Sequence, residues 1–314
     1  TSDDESWNVR FSLALNMKLA IPNVDKPPLF ASHLIKLTKD PVDQIRALSL
    51  SVLTDTIEFF PEESLSEIPV IFNNSMHSQI EEIRTSGIHL WASLLKHHPN
   101  APFQANLLNT LDLINFLPIE SLIYSMLNLV VPLVPHQNLN LKTIENGINT
   151  LIGSVSPYWK QKGISIIIHY STIPFLHDLA RIMAESILHL FDSTCFSLRC
   201  AIGQMIVQLS VDISWDWFNE KALNLITDGI ETGSCYVRMS LTRTIIELLI
   251  HKPPHHLKEQ LKKLLDTVIN DPVDEVRNHA TSCKSLLKHI KKMKGHKGHH
   301  HSMHVGKQLE HHET

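Results

Sequence analysis

Glycine is scarce in this chain, at 10 of 314 residues. Tight β-hairpin turns lean on glycine for positive φ, so this shortage argues against a sheet. The apolar positions are mostly Leu and Ile, which suit helices. Cysteine is also rare. Cys195, Cys200, Cys235 and Cys283 form no C-x-x-C pair and follow no secretory signal, which points to reduced intracellular thiols in the cytoplasm, with the nucleus open as a second location. Long apolar runs are missing as well: the most apolar stretch, Ser121 to Val134, falls short of the roughly 20 residues a membrane-spanning helix needs. No membrane partner is expected.

Basic clusters are absent from most of the chain. Seven Lys against two Glu give residues 284–314 a charge of +5, which leaves −9 on residues 1–283. Phosphate binding requires Lys and Arg gathered on one face, so an acidic body argues against nucleic acid as the primary partner. The common enzyme signatures are also lacking: no G-x-x-x-x-G-K-[ST], G-x-G-x-x-G, H-E-x-x-H or G-x-S-x-G occurs. His177-Asp178 with Glu185 is the nearest approach to a catalytic pair, and its helical setting reads as a solvated or capping set. The chain is therefore read as non-enzymatic, with no cofactor. The tail over 291–314 is rich in Lys and His but presents its imidazoles on no ordered element. It reads as a disordered segment and not as a metal site.

Self-similarity is what the sequence does contain. Asp40-Pro-Val-Asp-Gln-Ile-Arg46 and Asp271-Pro-Val-Asp-Glu-Val-Arg277 are nearly identical, and the distance between them divides into six equal intervals of repeat length. Related strings end at Arg10, Arg84, Arg199 and Arg238. Successive arginines stand one such interval apart, except that the step from Arg84 to Arg199 spans three and holds two degenerate units near positions 122 and 160. After each Arg, apolar residues recur at three and four, as in Ile83, Ile88, Leu90 and Leu94. The stretches before them, Leu29 to Leu37, Leu65 to Phe72, Ala222 to Ile230 and Leu257 to Ile269, have their own amphipathic spacing. Pro-rich breakers separate the units.

Each unit is thus a helix hairpin. A lone hairpin cannot bury its apolar face, so the expected fold is all-α: a solenoid of about eight units of ~39 residues over 1–290, opening mid-repeat. Arg10, Arg46, Arg84, Arg199, Arg238 and Arg277, with Asp43, are expected to form a structural ladder. In it, Asp caps the second helix and Arg reaches the next acidic turn. Of the tryptophans, Trp91 is placed in the core, while Trp7 sits at a turn where it could anchor a partner. The nearly uncharged middle, Phe103 to His177, reads as ordinary repeats joined by apolar contacts, with Pro118, Pro132 and Pro135 shortening or kinking its helices.

The Asp-x-x-Val-Arg turns at this period resemble HEAT repeats. Asp4-Glu-Ser-Trp-Asn-Val-Arg-Phe11 resembles a turn of the scaffold (A) subunit of type 2A serine/threonine protein phosphatases. Trp217-Phe-Asn-Glu-Lys-Ala-Leu-Asn224 and Asp271-Pro-Val-Asp-Glu-Val-Arg277 are similar to two further stretches of that family. What this resemblance implies is a non-catalytic scaffold whose intra-repeat turns hold a phosphatase catalytic subunit and a regulatory subunit. Carried over by position, Phe196 and Tyr236 would be contact residues, flanked by Ser197 and Cys235; the turn residues Trp7, Asp274 and Glu275 complete the expected partner-binding set. Asn8 and Ser197 depart from the family by replacing basic turn residues, and no Arg occurs between Arg84 and Arg181. A transport adaptor of the karyopherin or armadillo kind, gripping clients on a concave helix face, is the competing expectation.

Overall fold

The computed structural model describes residues 2–25, 27–100, 109–117 and 119–285, so the Lys/His-rich tail at 291–314 and Pro118 lie outside the described residues. Among those described there is no strand, and no helix is long and apolar enough to cross a membrane. The chain divides into two compact units, residues 1–169 and 170–314.

In the first unit, the second helices of successive hairpins are Trp7–Ala20, Asp43–Thr56, Glu81–His97, Glu120–Ser125 and Pro157–Ser171, the last of which runs just past the division. Their partners include Pro28–Leu37, Ile68–Met76 and Leu141–Gly153. In the second unit the second helices are Phe196–Asp212, Cys235–Ile250 and a helix over 274–285. His177–Ile187, Leu223–Thr232 and His255–Ile269 are the first helices there. Second helices therefore begin at positions 7, 43, 81, 120, 157, 196, 235 and 274, a nearly constant interval. The two degenerate units fall at 120 and 157, beside the expected positions.

The three-and-four spacing does the packing. Ile45, Leu50 and Leu53 on one helix, Ile83, Ile88, Leu90 and Leu94 on the next, and Leu34, Leu37, Ile71 and Phe72 on the first helices are all buried, where first and second helices pack together. Each such side chain contributes roughly 1.5–3 kcal/mol. Trp91 is fully buried, as expected, with its ring 4.9 Å from Phe72. Second helices also pack on one another, Trp7–Ala20 on Asp43–Thr56 and Asp43–Thr56 on Glu81–His97, and likewise Phe196–Asp212 on Cys235–Ile250.

Proline sets two of these boundaries, the first against expectation and the second, at Pro132, in line with it. The stretch expected as one helix over Leu65 to Phe72 is a 3-10 turn, Glu62–Leu65, followed by Ile68–Met76, because Pro69 fits a helix's first turn and not its interior. In the neutral middle, the helix from Glu120 passes into a π turn, Met126–Val130, and a 3-10 turn, Val131–Leu133, at Pro132.

Candidate functional site

In six hairpins the fourth residue of the second helix is Arg. Helical side chains lean toward the N-terminus, so the guanidinium lies over the chain that enters the helix. Arg10 Nη1 donates to the carbonyl oxygens of Asp4 (2.7 Å) and Glu5 (3.0 Å), Arg46 Nη1 to Asp40 O (2.6 Å), and Arg238 Nη1 to Gly233 O (2.6 Å). Arg84, Arg199 and Arg277 make the same bond to Ser78, Ser193 and Asp271. The residue six before the Arg also shapes the turn through its side chain. Asp40 Oδ1 accepts from the Val42 N–H at 2.9 Å, Asp271 Oδ1 from Val273 at 2.9 Å, and Ser78 Oγ from Ile80 at 3.2 Å.

The ladder itself departs from expectation. Among the described residues, only two rungs join neighbouring hairpins through a carboxylate. Arg10 donates from Nε (2.6 Å) and Nη2 (3.1 Å) to Asp40, and Arg238 from Nε (2.6 Å) and Nη2 (2.9 Å) to Asp271. Asp43 is not a rung: it stands at the first helical position and pairs with Arg46 of its own helix, as Asp274 does with Arg277. The cap is different too, since the residue preceding that helix, Val42, gives no side-chain hydrogen bond. Arg199 Nε reaches the next hairpin at Ser240 Oγ, 3.2 Å away, and Arg84 Nε is buried with no hydrogen-bond acceptor among the described residues.

In the complete rungs the charges are tuned by this contact. Burial pushes the Asp40 carboxyl up, but hydrogen bonds from Arg10 and the Val42 amide outweigh it and hold the group below its usual value. For Asp271 the Arg238 hydrogen bond is the leading cause of the same downward shift.

In the six helices that carry the Arg, the first two positions are exposed, apart from Cys235. Trp7 is 48% exposed, Phe196 60% and Tyr236 65%. Ser197, Asp274 and Glu275 are exposed, and Cys235 is half-buried. Arg199, in the first turn of its helix, bonds to Ser240, whose hydroxyl donates to the Tyr236 carbonyl in the adjacent helix, so Phe196, Ser197, Cys235 and Tyr236 share one edge of the second unit. Phe196 stacks over its own Arg199, 5.9 Å from ring centroid to guanidinium. Cys195, just before it, has its thiol drawn below the ordinary value by the Ser197 hydroxyl at 3.2 Å and the Leu198 amide. Trp7 belongs to the first unit, edge-on to Phe11 at 6.4 Å.

One aromatic at this position is not marked by the Arg motif. Tyr158 is 55% exposed at the second position of its helix, and Val155 beside it is 99% exposed. Tyr158, Trp159 and Tyr124 gather around Lys162, whose Nζ lies 4.9 Å from the Tyr124 ring and 5.3 Å from Tyr158. Lys160 occupies the Arg position here, which hid the turn. Stepping one repeat back from Phe196-Ser-Leu-Arg199 locates it.

The second helices of the first unit also carry a groove lined by Trp7, Phe11, Gln44, Ser51, Glu82 and Ser86, adjoining a depression lined by Asp55, Glu81 and His89. Away from these surfaces, Asp178 and Glu185 pair with Arg181 (3.6 and 3.8 Å), and Glu185 also pairs with Lys221 (3.3 Å).

No protein-family model and no curated protein matches this sequence. Among solved structures, the chain is similar to the karyopherin Kap121p bound to the extreme C-terminus of the protein phosphatase Cdc14p. The TM-score is 0.62 at 12% identity, over 88% of this chain and 31% of that one. The chain thus spans about a third of that karyopherin's length. Two engineered proteins match with TM-scores of 0.47 and 0.43 at 13% and 11% identity, over 88% and 72% of this chain and 73% and 99% of theirs. The fold is an all-α helical-repeat solenoid.

Proposed function

We propose that this protein is a non-catalytic scaffold that holds protein partners on the first turns of its second helices. The partners we assign are a serine/threonine phosphatase catalytic subunit and a regulatory subunit. Phe196 and Tyr236 carry the reading: two large aromatics, 60% and 65% exposed, on a shared edge stiffened by Arg199. Leaving such surface in water costs folding free energy that binding a partner would recover, and aromatics of this kind dominate interface hot spots. Ser197, Cys235, Asp274 and Glu275 supply the polar rim, and Trp7 is the corresponding anchor of the first unit. The resemblance of the turns to the phosphatase scaffold family supports the choice of partner. The setting we assign is cytoplasmic.

The test is calorimetric titration with a type 2A catalytic subunit, for the parent and for a Phe196→Ala, Tyr236→Ala double variant. The parent should bind at micromolar Kd or tighter. The double variant should bind at least about 30-fold more weakly, with unchanged helical circular dichroism. Equal binding by both proteins would remove the edge from consideration.

A second reading is favoured by the groove on the second helices of the first unit. Its aromatic and acidic lining suits a basic client peptide, and the helical-repeat neighbour is a karyopherin. This transport-adaptor reading predicts binding of a Lys/Arg-rich peptide that collapses with added salt. It also predicts sensitivity to Glu82→Gln and indifference to the Phe196 and Tyr236 substitutions.

A further inference from the structure

The two complete rungs show what each turn arginine can hold: a carboxylate, gripped by Nε and Nη2, supplied by the residue that opens the next turn. For Arg46 that residue is Ser78. The equivalence rests on shared contacts. Ser78 Oγ accepts from the amide two residues on, as Asp40 and Asp271 do, and its carbonyl accepts from Arg84 as theirs accept from Arg46 and Arg277. Serine is too short and uncharged to meet the preceding guanidinium.

Where the carboxylate would lie, a partly enclosed cavity of about 230 Å³ opens between the second and third hairpins, and both Arg46 and Ser78 line it. Its floor is apolar, from Leu50, Ile71 and Ile83, and its rim adds Lys39 and Asn74. No described residue accepts a hydrogen bond from Arg46 Nε. Arg46 Nη2 turns to the exposed Asp43, and Lys39 is held by Glu67 across an exposed 2.6 Å pair. Exposed pairs of this kind contribute little and exchange readily. The Thr38 and Ser75 hydroxyls that complete the lining already donate to Ile35 O (2.6 Å) and Phe72 O (2.7 Å). The donors open to a ligand are therefore Arg46, Lys39, Ser78 and Asn74.

We propose that this cavity is a carboxylate-binding site that receives an aspartate or glutamate side chain of a bound polypeptide, completing the Arg46 rung from outside. The planar fork of Arg46 matches a carboxylate in two hydrogen bonds. The apolar floor takes the methylene carbons behind it. Within the molecule itself, Asp40 and Asp271 are carboxylates held in this way at the corresponding place.

The probe is sodium propionate, which reproduces the end of a glutamate side chain, set against sodium chloride and sodium phosphate at equal ionic strength. Thermal unfolding and the Arg46 Nε–Hε resonance are read together for the parent, Ser78→Asp and Asp43→Asn. Propionate should raise the parent's Tm by on the order of 2 °C per kcal/mol of binding and shift the Arg46 resonance in a saturable way. Ser78→Asp supplies the carboxylate internally, so its Tm should start higher and both responses to propionate should vanish. Asp43→Asn frees Arg46 from its competitor and should saturate at lower propionate. Equal propionate responses in the parent and Ser78→Asp would overturn the site, as would an unmoved Arg46 resonance. A response to phosphate with none to propionate would overturn the carboxylate assignment.

Discussion

The Arg10–Asp40 and Arg238–Asp271 rungs lie in different units, yet they share the same three hydrogen bonds: the carboxylate accepts two from the guanidinium and a third from the amide two residues on. Arg46, between them in sequence, closes a turn of the same kind but meets no carboxylate of the next hairpin among the described residues. The comparison separates two tasks that the Asp-Pro-Val strings perform at once. Shaping the turn needs only a side-chain oxygen, and serine at 78 or 193 suffices. Gripping the preceding arginine with two hydrogen bonds takes length and charge, which Asp40 and Asp271 supply, whereas Arg199 reaches its neighbouring hairpin through the single neutral oxygen of Ser240.

The largest effect should come from separating those tasks at Asp271. Asp271→Ala removes turn oxygen and rung together and leaves Arg238 half-buried without its carboxylate, for an expected loss of about 2–3 kcal/mol. Asp271→Ser keeps the turn and removes only the rung. If the rung is the larger part, the serine variant should lose most of that amount, measured from urea midpoints together with amide exchange in the Cys235–Ile250 helix. A neutral serine variant would mean that turn shape alone matters.

Acid should act on the same contrast. Asp40 and Asp271 both titrate below their ordinary value of 3.8 in the folded chain. A depressed carboxylate contributes stability that is present above its unfolded value and is lost as pH falls through the folded one. The parent should therefore lose stability below about pH 3.8, more steeply than Asp271→Ser. The two curves should be furthest apart at neutral pH and converge in acid. Curves that run parallel down to about pH 2 would show that Asp271 is not bound as a carboxylate.

The period, the hairpins and the two degenerate units were legible because three-and-four spacing and Pro breaks act within a few residues. The exposure of Trp7, Phe196 and Tyr236 was not legible: the turn motif marks where these rings stand in the chain, and only the packing shows that they reach solvent. The rungs were not, because which acid an arginine meets depends on how hairpins stack. Asp43 and Asp40 are near neighbours in the chain, and only packing shows that Asp40 faces Arg10 while Asp43 faces its own helix. Tyr158 escaped because the fourth residue of its helix is Lys160 and not Arg. The cavity at Arg46 follows from a residue that is absent from the turn motif, which no motif can mark.

Smaller effects on stability belong to the exposed edge. Phe196→Ala and Tyr236→Ala remove rings that touch mostly water, so each should change unfolding free energy by less than about 0.5 kcal/mol. Their effect should appear in partner binding alone. A loss from either as large as core truncations cause would show the ring to be part of the core and would withdraw it as a contact residue.

The smallest effect should come from Asp43→Asn, although Asp43 and Asp40 present the same carboxylate to arginines of the same motif. The Asp40 side chain is 3% exposed and bound by two guanidinium nitrogens, whereas the Asp43 side chain is 50% exposed and meets one nitrogen within its own helix. Water and salt screen the second pair, and ordering two long side chains offsets much of its attraction, so its removal in chloride should cost at most about 0.5 kcal/mol. Raising the salt should erase even that difference. If Asp43→Asn instead costs as much as Asp271→Ser, then pairing within a helix ties these hairpins as firmly as a rung between them, and burial is not what sets the two carboxylates apart.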